Sequence, residues 1–122
     1  MSYDFYMMKP RLAIRSPDDL SEETLLEQEP SALVASLSAL FPELAWRRET
    51  EGGWFGSLDG EDTRYEFRID ARPSLMWSIH TSHRTRTRNL IPLICNALGV
   101  LAFDGQACSL IQPEDRSVFG SE

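Results

Sequence analysis

Apolar and polar residues alternate most regularly between residues 63 and 81. In the stretch TRYEFRID, residues 63–70, every second side chain is apolar, and residues 75–80 continue the alternation. A period of two places the apolar side chains on one face of a strand and the polar ones on the other. Turn signals at Gly52-Gly53 and Asp59-Gly60 precede these runs. Residues 44–81 are therefore predicted to form an antiparallel meander with one face exposed to water.

Two other segments show the spacing of an amphipathic helix. Between Pro30 and Pro42, apolar residues recur at positions i, i+1, i+4, i+7 and i+8, which forms one apolar stripe along a helix. Residues 87–98 show a second stripe, and Gly99 is a natural helix stop. A shorter helix is predicted over residues 17–27, because a serine at the N-cap and a proline at the first helical position begin it.

Short strands are predicted near both ends of the chain. They cover residues 3–8 and a hairpin of residues 100–103 and 108–111. Segregated helices and antiparallel strands predict an α+β fold in one domain, residues 1–122. We expect an antiparallel sheet of about five to six strands, with the two main amphipathic helices packed on one face. The last eight residues are expected to be frayed.

Composition fits this fold, and charge adds a preference for certain partners. The 122 residues are 42% hydrophobic and 25% charged, as in ordinary globular domains. The net charge is −7, and residues 1–66 hold 14 of the 19 acidic residues but only 6 of the 12 basic ones. Such a surface repels phosphate backbones and attracts cationic partners. A nucleic-acid partner is therefore not expected.

The cysteine count indicates a reduced compartment, and the lengths of the apolar runs do not predict a membrane span. Cys95 and Cys108 are too few for a disulfide framework, and their apolar surroundings suggest reduced core residues. The chain shows no signal-like start and no apolar run near 18 residues. A cytoplasmic protein with no membrane partner is expected.

Two acidic segments are candidate surfaces for a cationic protein partner. The first acidic segment, residues 16–30, contains no basic residue, and the second, residues 49–62, places two large aromatic residues among carboxylates. A solvated helix face explains the first segment equally well, and one aromatic residue of the second could simply point inward. The candidate partner-binding residues are Asp18, Asp19, Glu22, Glu23, Glu27, Glu51, Trp54, Phe55, Asp59, Glu61 and Asp62. Trp54 is the expected apolar anchor, because aromatic side chains dominate the energetics of many interfaces.

An enzyme is the alternative hypothesis. Glu66, His80, His83 and Arg84 provide a carboxylate, imidazoles and a guanidinium, the groups that an acid-base hydrolase or nuclease needs. Solvated loop residues give the same pattern more often. The chain shows no nucleotide-binding loop, nucleophile elbow or metal-binding motif. If the protein instead binds a cationic partner, no cofactor, metal or catalytic residue is expected.

Motifs near the two ends of the chain resemble a known group of bacterial proteins. The chain opens with MSYDFY, and residues 99–106 read GVLAFDGQ. Small cytoplasmic immunity proteins of polymorphic toxin systems begin similarly and end in a Gly-x-x-x-Phe/Tyr-Asp-Pro-Gln hairpin, with Gly105 here in place of the proline. The resemblance implies a bacterial protein that takes part in interbacterial competition by blocking a cognate toxin domain. A non-enzymatic toxin inhibitor with an acidic docking surface is therefore expected.

Overall fold

The computed structural model describes residues 3–59, 64–81 and 84–112, with the backbone alone for residues 84–89. The strands are β1 (Tyr3–Pro10), β2 (Leu25–Leu26), β3 (Ala45–Arg48), β4 (Trp54–Asp59), β5 (Arg64–Ile69), β6 (Met76–Thr81), β7 (Leu101–Asp104) and β8 (Ser109–Ile111), and the helices are α1 (Pro30–Leu40) and α2 (Arg84–Leu98). The predicted frayed end lies outside the described residues.

The described strands form one antiparallel sheet with the order β3-β4-β5-β6-β1-β7-β8, and β2 pairs with the end of β1. The α+β class with an antiparallel sheet and two helices is confirmed. The expected number of strands is wrong, because eight are present across the described residues. The two-residue strand β2 forms where β1 extends past its other neighbours, with Lys9 and Pro10 opposite Leu26 and Leu25.

The meander predicted for residues 44–81 is confirmed as β3 to β6. Its inner face carries Tyr65, Phe67 and Ile69, all at most 6% exposed. Gly56 pairs with Trp46, and a β-carbon added to Gly56 would lie 2.8 Å from the Trp46 ring. Only a glycine leaves room for the indole at this point.

Strand β1 lies near the middle of the sheet, although it comes first in the chain. Phe5 pairs with Ile79 of β6 on one side and with Asp104 of β7 on the other. Because β6 and β7 both run antiparallel to β1, they are parallel to each other and need a crossover connection. Helix α2 provides that connection.

Both helices pack against the same face of the sheet. Leu33 and Leu37 of α1 join Ile91, Ile94 and Cys95 of α2 in the main core cluster, which also contains the inner side chains of the sheet. Burial raises the pKa of the Cys95 thiol to about 12, because a low-dielectric interior disfavours the thiolate. Cys95 therefore acts as the small buried hydrophobe that the sequence predicted.

The opposite face is covered in part by the chain between β1 and α1. Ile14 and Leu25 from this connection pack on Met8 and Leu101 in a second core cluster. The helix predicted over residues 17–27 is wrong, since only Pro17–Asp19 form a short 3-10 helix. A turn and β2 follow it. Burial of Leu25 beside the sheet takes precedence over local helix propensity.

The hydroxyl of Thr24 explains why the chain turns after the 3-10 helix. It donates to the backbone carbonyl of Asp19 at 2.7 Å and lies 3.2 Å from the carbonyl of Ser21. Bonds of this kind offer the backbone an alternative to a helix.

The second helix begins earlier than predicted, at Arg84, and Pro92 lies inside it. It ends as expected at Gly99, which has a φ of +67° and donates its N–H to Cys95. No helix among the described residues is long and apolar enough to cross a membrane.

The hairpin of β7 and β8 is confirmed. The carboxylate of Asp104 accepts backbone N–H groups of Gln106 and Ala107 at 2.9 and 3.2 Å, which shapes the turn. Cys108 closes the turn with a φ of +53° and is exposed. The expectation that Cys108 is a core residue is wrong, because the turn places it outside the sheet.

Candidate protein-binding surface

The first acidic segment presents its carboxylates outward from an ordered loop. Asp18, Glu22, Glu23 and Glu27 are all exposed. None of them forms an ion pair with a basic residue that the structure describes. Their charges are thus available to an approaching cation.

Asp19 differs from its neighbours because its carboxylate is used within the fold. One oxygen accepts the backbone N–H groups of Arg15 and Ser16, at 2.9 and 3.3 Å. A carboxylate at the third helical position that accepts the N–H of the N-cap residue is one half of a capping box. Asp19 is therefore a capping residue of the loop.

The loop is anchored at several points. The backbone N–H of Arg11 donates to Thr24, and the side-chain amide of Gln112 donates to Ile14, both at 2.8 Å. Ile14 and Leu25 are each 7% exposed. Buried apolar side chains on both sides of these acidic residues hold the backbone between them in place.

Gln28 lies inward between two outward carboxylates, Glu27 and Glu29. Its side-chain oxygen accepts the indole N–H of Trp77 at 3.1 Å, and its backbone pairs with Ser74. The Gln28 residue is 7% exposed, yet its Nε2 has no hydrogen-bond partner in the described part of the chain. A buried donor without an acceptor costs about 1–3 kcal/mol.

Beside Gln28 a groove runs between α1 and the last turn of α2. This helix groove has a volume of about 650 Å³. Lys9 lies at the groove, and its ammonium donates to the backbone carbonyl of Leu98 at 3.1 Å. The residues that line the groove are Lys9, Glu27, Gln28, Glu29, Ala32, Leu33, Ser36, Ala39, Leu40, Ala97, Leu98 and Val100.

The second acidic segment does not form one cluster. Glu51 precedes β4 and Asp59 ends it, so the two carboxylates lie at opposite ends of that strand. Asp59 pairs with Arg64 at 3.0 Å, and this hydrogen bond and charge raise the pKa of the Arg64 guanidinium. Glu61 and Asp62 lie outside the described residues.

The two aromatic residues of that segment face opposite sides of β4 and are covered by arginines. Trp54 packs edge-on against Trp46, with the Arg48 guanidinium 4.4 Å from the centre of its ring. Phe55 is 9% exposed and lies beneath two guanidiniums. Cation-π contacts of this kind already occupy the ring faces. The structure therefore gives Trp54 a packing role, and its predicted role as anchor remains a prediction.

The outer face of the sheet brings together part of the alternative acid-base set. Glu66 and Asp4 are the direct cross-strand partners of His80, one on each side. The Nδ1 atom of His80 lies 2.6 Å from a carboxylate oxygen of Asp4. Sequence reasoning missed Asp4, because nothing local indicates that β1 lies beside β6.

The remaining members of that set are less informative. His83 lies outside the described residues, and Arg84 is described by its backbone alone. Both side chains of the Asp4–His80 pair are partly exposed on an open sheet face, at 46% and 40%. No group of three His, Cys, Asp or Glu residues in the described ranges could hold a metal ion.

Comparisons of the chain with protein-family models, with curated proteins and with solved structures found no match. The function must therefore be argued from the residues.

Proposed function

We propose that this protein is a non-enzymatic immunity protein that binds and blocks a cognate, cationic toxin domain through its first acidic segment. The observation that carries the proposal is the exposure of Asp18, Glu22, Glu23 and Glu27 without ion pairs to described basic residues. The resemblance of the chain ends to immunity proteins agrees with it.

Electrostatic attraction supplies the physical advantage. Unpaired carboxylates on one loop produce a local negative potential, and such a potential raises association rates by roughly ten to a thousandfold. Carboxylates that already pair with arginines contribute less, because their field is partly cancelled. The first acidic segment is thus a better docking surface than the second, where Asp59 pairs with Arg64.

The other predicted partner-binding residues have smaller roles in this proposal. Asp19 holds the loop in shape through its backbone hydrogen bonds. Glu51 is exposed in the turn between β3 and β4 and adds to the long-range field. Trp54 and Phe55 are covered by arginines, so they are secondary candidates for contact.

We expect the neighbouring gene to encode the toxin domain, and the experiment uses that domain in a catalytically inactive form. We expect a complex of the two proteins, and protection of cells that express the active toxin. Glu23→Lys with Glu27→Lys should weaken binding at least about tenfold, since it reverses two charges at the docking surface.

The matched control is Glu43→Lys with Asp70→Lys. These two carboxylates are also exposed and make no ion pair with a described basic residue, and their reversal changes the net charge equally. The control pair should bind within about twofold of the parent protein. Equal weakening by both pairs would show that net charge alone matters and would contradict the proposed surface.

A second candidate function has one observation in its favour. A histidine held at Nδ1 by a carboxylate leaves Nε2 available as a general base, and His80 with Asp4 has this geometry. Glu66 on the neighbouring strand would serve as the second acid-base group. Cleavage of RNA, DNA or a phosphodiester model substrate by the purified protein would support this hydrolase.

The control for the hydrolase uses the same site. Cleavage should disappear in His80→Gln and in Glu66→Gln, while Ser57→Ala on the same face should retain it. Activity that survives both substitutions would exclude the Asp4–His80–Glu66 site.

A further inference from the structure

We propose that the helix groove is the anchor site of this protein, and that it receives the apolar side of a basic, amphipathic helix of the partner. The inference rests on the proposed function and adds to it the kind of segment that is bound. The partner, rather than Trp54 of this chain, then supplies the anchoring side chains.

Apolar residues of both helices form part of the lining of the groove. Leu33 and Leu40 of α1 and Leu98 of α2 line it, together with Val100. Small residues of both helices, including Ala39 and Ala97, also line the groove. Its volume of about 650 Å³ is within the usual range for ligand pockets and leaves room for two large side chains. Apolar residues one turn apart on a helix fit such a groove.

The charge at the groove selects a basic partner. Glu27 and Glu29 line it, are exposed, and make no ion pair with a described basic residue. The ammonium of Lys9 is held by the carbonyl of Leu98 at the end of α2, where the helix dipole is negative. A helix with lysines or arginines beside its apolar stripe therefore meets two carboxylates.

Gln28 provides an independent indication that the groove is incomplete without an occupant. It lines the groove between Glu27 and Glu29. Its side-chain oxygen is held by the hydrogen bond from the indole N–H of Trp77. The amide nitrogen is left as a buried donor with no acceptor among the described atoms. One of the unpaired carbonyl oxygens at the C-terminal end of a bound helix would satisfy it if the amide turned toward the groove.

The test uses a synthetic peptide of about 18 residues, long enough to form a helix, made of lysine and leucine in amphipathic order. It is added to the intact, isotope-labelled protein and followed by NMR. We expect shifts of the Gln28 side-chain amide and of the backbone amides of Ala32 and Ala97. A peptide of the same composition in scrambled order should bind at least tenfold more weakly.

Two tryptophan substitutions on α1 distinguish the groove from the rest of the surface. Ala39→Trp fills the groove and should weaken peptide binding at least tenfold. Ala35→Trp is the matched control, because Ala35 is exposed on the same helix but does not line the groove. If Ala39→Trp does not fold, Ala97→Trp with Asn96→Trp as control tests the same groove from α2.

The outcomes separate this inference from the proposed function. A toxin domain that binds Ala39→Trp or Ala97→Trp as tightly as the parent would overturn the groove and leave the inhibitor standing. A peptide that shifts Gln28 and is blocked by the groove substitutions would support the groove even if the neighbouring toxin does not bind. Shifts confined to other surfaces would overturn the inference.

Discussion

Gly56 shows how one residue can decide the packing of a whole strand pair. It lies opposite Trp46 in the register of β3 and β4, and the indole occupies the space where a side chain would be. Trp46 also donates its indole N–H to the hydroxyl of Ser38 on α1 at 2.8 Å. The glycine therefore lets an edge strand reach the helix layer.

Gly56→Ala is predicted to destabilise the protein by about 1–3 kcal/mol, because the added methyl group would overlap the Trp46 ring. Urea denaturation followed by tryptophan fluorescence measures the change. Ser57→Ala, one position along and on the outer face, should change the stability by less than about 0.5 kcal/mol. Equal effects of the two substitutions would mean that the indole moves away at little cost.

The two cysteines are predicted to react very differently with a thiol reagent at pH 8. Burial raises the pKa of Cys95 to about 12, so the folded protein holds it as the unreactive thiol, whereas Cys108 is exposed. A colorimetric disulfide reagent should modify one cysteine of the native protein rapidly and both in urea. Cys108→Ser should abolish the rapid phase, and Cys95→Ala should retain it.

At the scale of elements, local patterns predicted those parts whose neighbours in sequence are also neighbours in space. The stripe of α1 and the alternation of β5 and β6 were enough to place these elements. The connection before α1 was different, because burial of Leu25 on Met8 and Leu101 decides its path. Charge at a helix start favoured a helix over residues 17–27, and contacts made far along the chain prevented it.

Thr24→Val is predicted to make the first acidic segment more mobile and to lower the free energy of unfolding by about 0.5–1.5 kcal/mol. The reason is that the hydrogen bonds of the hydroxyl to Asp19 and Ser21 are lost. Hydrogen exchange of residues 19–25 should accelerate, and urea denaturation should give the loss of stability. Thr50→Val is the control, since Thr50 is exposed in the turn between β3 and β4. Unchanged exchange in Thr24→Val would show that the buried leucine alone holds the loop.

The candidate site was predictable in part. The exposure of Glu22, Glu23 and Glu27 followed from charge alone, and the structure agrees with it. The groove and Gln28 could not be predicted, because they arise where α1, α2 and the 27–29 segment meet. The same is true of the contact between Asp4 and His80, which depends on the strand order.

At the scale of the whole molecule, the uneven distribution of charged residues along the chain is expected to give an uneven electrostatic potential at the surface. The first acidic segment carries carboxylates without ion pairs to described basic residues. The arginines of β3 and β5, in contrast, form ion pairs with Glu49 and Asp59 and cation-π contacts with the rings of Trp54 and Phe55. The arginines of β3 and β5 thus neutralise and cover one region, whereas Glu22, Glu23 and Glu27 make no ion pair with a described basic residue. This separation is a property of the fold and not of the net charge.

Binding to the proposed toxin domain is therefore predicted to be steered by salt-sensitive attraction. Between about 10 and 1000 mM salt, where the screening length falls from about 30 to 3 Å, the association rate should fall at least about tenfold. The dissociation rate should change much less. Stopped-flow mixing with the inactive toxin measures both. An association rate independent of salt would contradict a charge-steered encounter.

The position of β1 has a consequence for how the protein is made. Strand β1 needs both β6 and β7 as partners, and Phe5 pairs with Asp104 of β7, which is translated long after it. Strand β1 must therefore wait, with one hydrogen-bonding edge open, until β7 has been synthesised. A chain that stops before β7 leaves that edge of β1 unpaired, and an open strand edge invites pairing with other chains.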